Sequence, residues 1–246
     1  HGVSVDLFGE RVSDPAVAYD AMHDTWLIVG LGIRPCSLSG SCAGARVFVS
    51  RSMDGARTFD EPLLPRRPDR SQFFDVPWIA CDNFSASPFY GNCYMVWIDG
   101  WHRALLHAYT SSDGGLTWAW ARIRPDHHFV GFPRLVVQPN GNVVIGFTDE
   151  ESYPPVGRTL ISTDGGATYV GPFDIPSYDQ RGPAGGLRAS PIPPARRFDV
   201  DAAGRIYSAW SDCAFRLAEE GVCTHNDIVL GTSDDGRHWT DMFRVP

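Results

Sequence analysis

Apolar residues along this chain come in short bursts, separated by Gly, Pro, Asp, Asn and Ser, and no stretch keeps a helical period for a useful length. A first burst opens on a polar or Pro-containing start: DPAVAYD (14–20), VPWIACD (76–82), FPRLVVQPNG (132–141) and RRFDVDAAG (196–204). A second follows after a short turn, as TWLIVGLG (25–32), NCYMVWIDG (92–100), NVVIGFTDE (142–150) and RIYSAWSDC (205–213). After a variable loop comes a third, RVFVS, ALLHAYT, RTLIS or DIVLG, and then a fourth such as TWAWARI (117–123) or HWTDMFRV (238–245). Bursts of this length, rich in β-branched and aromatic residues and bounded by turn residues, predict strands. The expectation is an all-β chain built from units of four short antiparallel strands.

Between the third and fourth bursts one phrase recurs, as SMDGARTF (52–59), SSDGGLTW (111–118), STDGGATY (162–169) and TSDDGRHW (232–239). Each copy is read with an Asp (Asp54, Asp113, Asp164, Asp234) five residues ahead of an aromatic (Phe59, Trp118, Tyr169, Trp239), with Gly between them. A short carboxylate at the head of a tight turn accepts hydrogen bonds from the backbone N–H groups after it, and Gly supplies the positive φ such a turn needs. The phrase is therefore expected to be a turn clip between strands, with structural rather than catalytic carboxylates. The clip Asp residues lie 59, 51 and 70 residues apart, a period in the range of propeller blades.

SxDxGxTW is the Asp-box, and the chain resembles the sialidase-like, BNR-repeat β-propellers of secreted bacterial proteins. The first copy has Ala56 where the pattern has Gly, and the last has His238 where it has Thr. The resemblance implies one β-propeller domain over 1–246, with blades at about 14–62, 75–123, 131–175 and 196–246 and an extra N-terminal strand in 1–13. Sialidases of this family have six blades, which at about 60 residues each needs roughly 360 residues. At 246 residues the chain is either a four-bladed ring or part of a larger assembly, joined through the N-terminal strand or an exposed blade edge. The family's reaction implies three Arg on a substrate carboxylate, a Tyr nucleophile helped by a Glu, and an Asp acid/base. Its first Arg comes from an F/Y-R-I-P motif. ERVSDP (10–15) stands at that place, and the similar FPRL (132–135) lies in the third unit. No catalytic residue is carried over by motif.

Charge and cysteine content narrow the partners. The net charge of -8 argues against a nucleic-acid backbone, and all 21 cations are Arg, which excludes Lys-based Schiff-base chemistry. No apolar run reaches the ~20 residues of a membrane-spanning helix. Six cysteines fall into close pairs, Cys36 with Cys42, Cys81 with Cys93 and Cys213 with Cys223, without the CxxC spacing of zinc sites. Neighbour pairing into disulfides, and secretion, are the expectations.

Candidate chemistry lies in the loops after the second strands. Those strands end in Asp99, Asp149 and Asp212, with Gly32 at the first. The non-repeated residues nearby are Arg34, then Trp101, His102 and Arg103, then Glu150, Glu151, Tyr153 and Arg158, with Arg134 in FPRL. Acids, a Tyr, several Arg and a Trp are the repertoire of a sugar site. Asp99, Asp149, Glu150, Glu151 and Tyr153 are the catalytic candidates, and Arg34, Trp101, His102, Arg103, Arg134 and Arg158 the ligand-binding ones. No metal or other cofactor is expected: His1 and DHH (126–128) have no second ligand at a diagnostic spacing, and the acids at 149–151 lack the alternation of a calcium loop. The leading reading is an extracellular glycan-binding, adhesive or self-assembling module. The alternative is a sialidase-type exo-glycosidase acting on an acidic sugar.

Overall fold

A computed structural model of the chain describes residues 11–33, 45–66, 72–100, 105–123, 130–152, 155–176, 196–220, 223 and 225–246. Those residues form four sheets of three to five strands. Sheet I holds β1 (Arg11–Asp20), β2 (Thr25–Ile33) and β3 (Ala45–Ser52); sheet II holds β4 (Phe74–Cys81), β5 (Cys93–Asp99), β6 (Leu105–Ser111) and β7 (Ala119–Trp120). The short β8 (Arg122–Ile123) leaves sheet II and joins sheet III, running parallel to β12. Sheet III is otherwise β9 (Val130–Val137), β10 (Val143–Asp149), β11 (Val156–Ser162) and β12 (Thr168–Ile175). Sheet IV holds β13 (Arg197–Val200), β14 (Ile206–Asp212), β15 (Asp227–Ser233) and β16 (Phe243–Arg244), with α1 (Ala214–Glu220) between β14 and β15.

The order of strands within each sheet follows the sequence pattern, with three differences. Sheet I shows three described strands, its edge met by a bridge from Leu63 to Val49. Residues 11–13 continue β1, with Val12 opposite Gly32 and Ser13 opposite Leu31, and residues 1–10, where the sequence reading places the rest of an N-terminal strand, lie outside the described residues. The helix α1 was not expected. It starts where the Asp212 carboxylate accepts the Ala214 N–H at 2.8 Å, and Arg216 pairs with Glu220 one turn on.

The sheets stack face to face in chain order. Leu27, Val29 and Val47 of sheet I pack on Met95, Trp97 and Tyr109 of sheet II. The other face of sheet II, with Tyr94 and Val96, packs on Leu135, Val143 and Ile145 of sheet III. Val136, Val144 and Ile161 of sheet III then meet Ile206, Phe198 and Trp239 of sheet IV. The first strands β1, β4, β9 and β13 pack on one another in that order, and among the described residues no comparable contact leads from sheet IV back to sheet I. The fold is all-β and consistent with a sialidase-like β-propeller, seen as an open arc around an axis lined by its first strands. Of the two arrangements the sequence leaves open, a closed four-bladed ring and a part of a larger assembly, the described residues do not show the closed ring.

The repeated phrase does two jobs. In the third copy the Asp164 carboxylate accepts the Thr168 N–H at 2.9 Å and the hydroxyls of Thr168 and Ser162 at 2.5 and 2.8 Å. The first and second copies repeat these bonds at Asp54 and Asp113. Each later turn also locks onto the sheet before it. Arg51 Nε donates to Gly114 O at 2.6 Å, Thr110 Oγ1 to Gly166 O at 3.2 Å, and Thr159 Oγ1 to Gly236 O at 2.6 Å. Gly115, Gly166 and Gly236 have positive φ and no room for a methyl: a Cβ there would strike Leu27, Thr110 or Val144 respectively. Ala56, at φ 64° in the first copy, meets no earlier sheet among the described residues and is exposed.

The fourth copy corrects the sequence reading. There Asp235, not Asp234, holds the turn: it accepts the Arg237 and His238 N–H groups at 2.8 Å each and the Ser233 hydroxyl at 3.2 Å. His238 Nδ1 lies 2.7 Å from the same carboxylate, where the other copies place a threonine hydroxyl. Asp234 is exposed and pairs with Arg205 Nε at 2.8 Å. The turn is one residue shorter than in the other copies, so counting back five from Trp239 lands on the wrong Asp.

Disulfides join Cys81 to Cys93 and Cys213 to Cys223. The first ties the facing ends of β4 and β5, and the second closes the loop that carries α1. Cys36 and Cys42 lie outside the described residues.

Candidate axial binding site

Register separates the two ends of every sheet. In sheet II, Cys93 pairs with Cys81 and Ser111 at the end that carries the Asp turn, whereas Asp99 pairs with Phe74 and Leu105 at the other. The far end is where the first strands begin, and there they are irregular. Asp14, Val76 and Phe132 have φ of 49°, 46° and 48°, each directly before a Pro. The ladder slips at each of these positions. Proline has no N–H to donate, so an X-Pro pair in a strand is accommodated as a bulge that re-aims the side chains around it. A β-branched residue such as Val76 at positive φ is uncommon, and backbone strain of this kind costs on the order of 1–3 kcal/mol per residue.

These bulges surround a cavity of about 280 Å³ on the axis, lined by Asp14, Val76, Trp78, Phe132, Arg134 and Arg197 together with Pro15 and Pro77. All four sheets contribute through their first strands. The Arg134 guanidinium stacks 4.5 Å from the centre of the Trp78 ring and donates from Nη1 to Pro133 O at 2.8 Å, while its Nε is buried without an acceptor. Burial, then the charge of Arg197, pull the Arg134 pKa down to about 10 against the pull of Asp14, so it stays a cation at neutral pH. Asp75 precedes the lining Val76, and its Oδ1 accepts the Val76 N–H at 2.9 Å. Burial raises its pKa above the usual carboxylate range, and the charge of Asp14 and a hydrogen bond with it add to the rise. The cavity thus presents two guanidinium groups, the Trp78 indole and the Asp14 carboxyl.

The sequence candidates distribute as follows. Arg134 lines the cavity. Glu150 is not among the lining residues: its carboxyl fills the space where a methyl on Gly131, the neighbour of the lining Phe132, would go, and partial burial, then the charge of Asp149, raise its pKa. Asp149 and Arg158 are bound to each other, with Arg158 Nε also 2.9 Å from Asp174, so this arginine ties β10, β11 and β12 together. The Glu151 N–H donates to Asp149 at 2.9 Å. Asp99 is fully buried and accepts the Phe73 N–H at 3.2 Å, and Asp212 is buried with its oxygens on Ala214 N and Trp210 Nε1. These strand-end acids anchor backbone. Arg34, Trp101, His102, Arg103, Tyr153, His1 and residues 126–128 lie outside the described residues. Among the described residues no group of three or more His, Cys, Asp and Glu is placed to hold a metal ion.

Asp14, Asp75, Trp78 and Arg197 were missed by the sequence reading. Their signal was the recurrence of X-Pro at the head of three first strands, in DPAV, VPWI and FPRL, which reads as a strand start rather than as a bulge.

No protein-family model and no curated protein sequence matches the chain. Solved structures do. The NanB sialidase from Streptococcus pneumoniae matches over all of this chain and 53% of its own, at 10% identity and a TM-score of 0.62. A Hadza microbial sialidase matches over 96% of this chain and 45% of its own, at 17% identity and 0.58. An α-L-arabinofuranosidase from Fusarium graminearum, solved with an iminosugar inhibitor, matches over 96% and 67%, at 12% identity and 0.63. The chain spans about half the length of these sialidase chains. Identities this low establish a shared fold.

Proposed function

We propose that the chain is an extracellular glycan-recognition module, a sialidase-like β-propeller whose axial cavity takes a sugar unit bearing a carboxylate. The observation that carries this reading is the convergence of Arg134, Arg197 and Trp78, from three sheets, on one cavity. A guanidinium meets a carboxylate with charge-assisted, often bidentate hydrogen bonds, and Arg134 Nε has no acceptor of its own. Trp78, with the Arg134 guanidinium stacked on its ring, adds an indole wall to the cavity. About 280 Å³ lies at the small end of ligand cavities and suits one sugar unit rather than a chain. Two disulfides are compatible with an oxidising, extracellular setting, and no described helix is long and apolar enough to cross a membrane.

Binding is favoured over hydrolysis because glycosidases flank the scissile bond with two carboxyls, whereas the residues lining the cavity include one carboxylate, Asp14. The second reading, an exo-glycosidase, draws on Glu150, a carboxyl of raised pKa against Gly131. Calorimetric titration with sialic acid, glucuronic acid and neutral galactose tests both, alongside fluorogenic sialoside and arabinofuranoside substrates. Binding of the acids but not of galactose, lost in Arg134→Met and Arg197→Met with the fold intact, is the expected result. Turnover abolished by Glu150→Gln establishes the enzyme reading instead, and no binding to any sugar overturns both.

A further inference from the structure

The axial cavity is electrically divided along the arc. Trp78, Arg134 and Arg197 occupy one level of it: they pair with Val96, Gly146 and Ala209, each three places before the buried Asp99, Asp149 or Asp212 that ends its strand. In sheet I that level is held by Ala16, opposite Val29, and the residue lining the cavity is Asp14, two positions earlier. Because β1, β4, β9 and β13 pack in that order, Asp14 stands at one end of a row and Arg197 at the other. Both are exposed, with Trp78 and Arg134 half-buried between them. Charge follows the same order. Arg134 feels the repulsion of Arg197 ahead of the attraction of Asp14, as two cations grouped on the side of sheets III and IV would. On the side of sheets I and II, the half-buried Asp75 feels the charge of Asp14. Among the described residues neither of these carboxyls has an ion-pair partner.

We propose that the sugar acid this cavity takes also carries a free amine, its carboxylate set toward Arg134 and Arg197 and its ammonium toward Asp14. The inference rests on the acidic-sugar reading above and adds to it a second charge and an orientation. A carboxylate alone answers only the basic half of the row. A sugar hydroxyl facing the other half donates one hydrogen bond and leaves the Asp14 charge uncompensated, whereas an ammonium donates up to three and brings the opposite charge. It also relieves the like-charge opposition between Asp14 and Asp75, which no side chain of the cavity does. Orientation follows from the order of the strands, since a ligand turned end for end would set its anion on Asp14 and its cation on the two arginines. An N-acetyl group removes the ammonium charge and adds bulk in a cavity of about 280 Å³, so acetylated amino acids of the sugar series are the poorer ligands.

Calorimetric titration with glucose, glucosamine, glucuronic acid and glucosaminuronic acid separates the two charges on one sugar skeleton. Glucosaminuronic acid is expected to bind roughly tenfold more tightly than glucuronic acid, as a charge-assisted contact at a partly exposed carboxylate gives. Asp14→Asn, which keeps the side-chain shape and tolerates the positive φ, is expected to bring the two acids to the same affinity, with circular dichroism confirming the fold. An amine that adds nothing while glucuronic acid still binds overturns the inference and leaves the acidic-sugar reading standing. A preference for the amine that survives Asp14→Asn combined with Asp75→Asn also overturns it, because the ammonium then sits elsewhere. Glucosamine bound as tightly as glucosaminuronic acid overturns the acidic-sugar reading itself, and failure of both acids to bind overturns the two together.

Discussion

Replacing Asp235 and Asp234 in turn asks which carboxylate holds the fourth turn. Asp235→Ala removes the acceptor of two backbone N–H bonds at 2.8 Å, of the Ser233 hydroxyl at 3.2 Å and of the His238 ring. Net contributions of about 0.5–1.5 kcal/mol per hydrogen bond, with rehydration of an exposed turn keeping them near the middle of that range, give about 2–4 kcal/mol. The turn also seats Gly236 on Val144 and Ile161 of sheet III, so its loosening weakens the joint between sheets III and IV. Asp234→Ala removes a surface ion pair whose partners are 76% and 52% exposed, worth about 0.2–1 kcal/mol. In a chain of this size the first loss lowers Tm by roughly 5–15 °C and the second by less than about 4 °C. Urea unfolding followed by tryptophan fluorescence and far-UV circular dichroism reads both, with Asp164→Ala as the positive control. Equal losses, or a larger loss for Asp234→Ala, refute the one-residue shift and restore the reading with an aromatic five residues on.

Acid acts on two sets of carboxylates in opposite directions. Hydrogen bonds from Thr58 hold the Asp54 pKa below the usual range, and at Asp235 the bonds from His238, Arg237 and Ser233 outweigh burial to give about 2; their stabilisation is full above the unfolded value of about 3.9 and is lost as pH falls through the folded one. Asp75 has a raised pKa, so it opposes folding once ionised, and Asp75→Asn is expected to raise Tm at pH 7 with the gain vanishing below about pH 4. Replacing Cys81 and Cys93 together by Ser reopens a loop of separation 12 and is expected to cost about 3 kcal/mol in urea titrations. Arg196 is fully buried between Gly157 and the Trp210 ring, 3.7 Å from its centre, with all three guanidinium nitrogens unpartnered, and burial drops its pKa to about 9 despite Asp212. Arg196→Met is therefore expected to be neutral or to raise Tm, whereas Gly157→Ala, whose methyl would strike the guanidinium, lowers stability by about 1–3 kcal/mol.

Strand order and turn chemistry were legible because each repeats. A period-two pattern bounded by turn residues identifies a strand whatever it packs against, and three of the four clip carboxylates sit where the phrase places them. The fourth failed because TSDDGRHW offers two adjacent Asp residues and a ring nitrogen in place of a hydroxyl, so spacing alone picks the wrong one. The candidate site was legible only at Arg134. Acids at strand ends, such as Asp99 and Asp149, look chemically available in a sequence. Whether a carboxylate is occupied by a backbone N–H or by an arginine from the next strand depends on register, which a single chain of letters does not show.

The same distinction explains why the axial end is the place to look for function. At the turn end, the clip carboxylates hold the backbone N–H groups after them, and sheet locks to sheet through Gly114, Gly166 and Gly236. At the axial end the choices run against local preference: Val76 and Phe132 take a left-handed conformation before proline, and two arginines stand close enough to lower the pKa of one of them. Rebuilding any one strand start as a regular ladder would relieve strain without disturbing the cores between sheets. Three first strands nevertheless share the irregularity, with φ within three degrees of one another, around one cavity. Local conflict that recurs in register, and is confined to one end of an otherwise self-consistent fold, is what a binding site imposes on a scaffold.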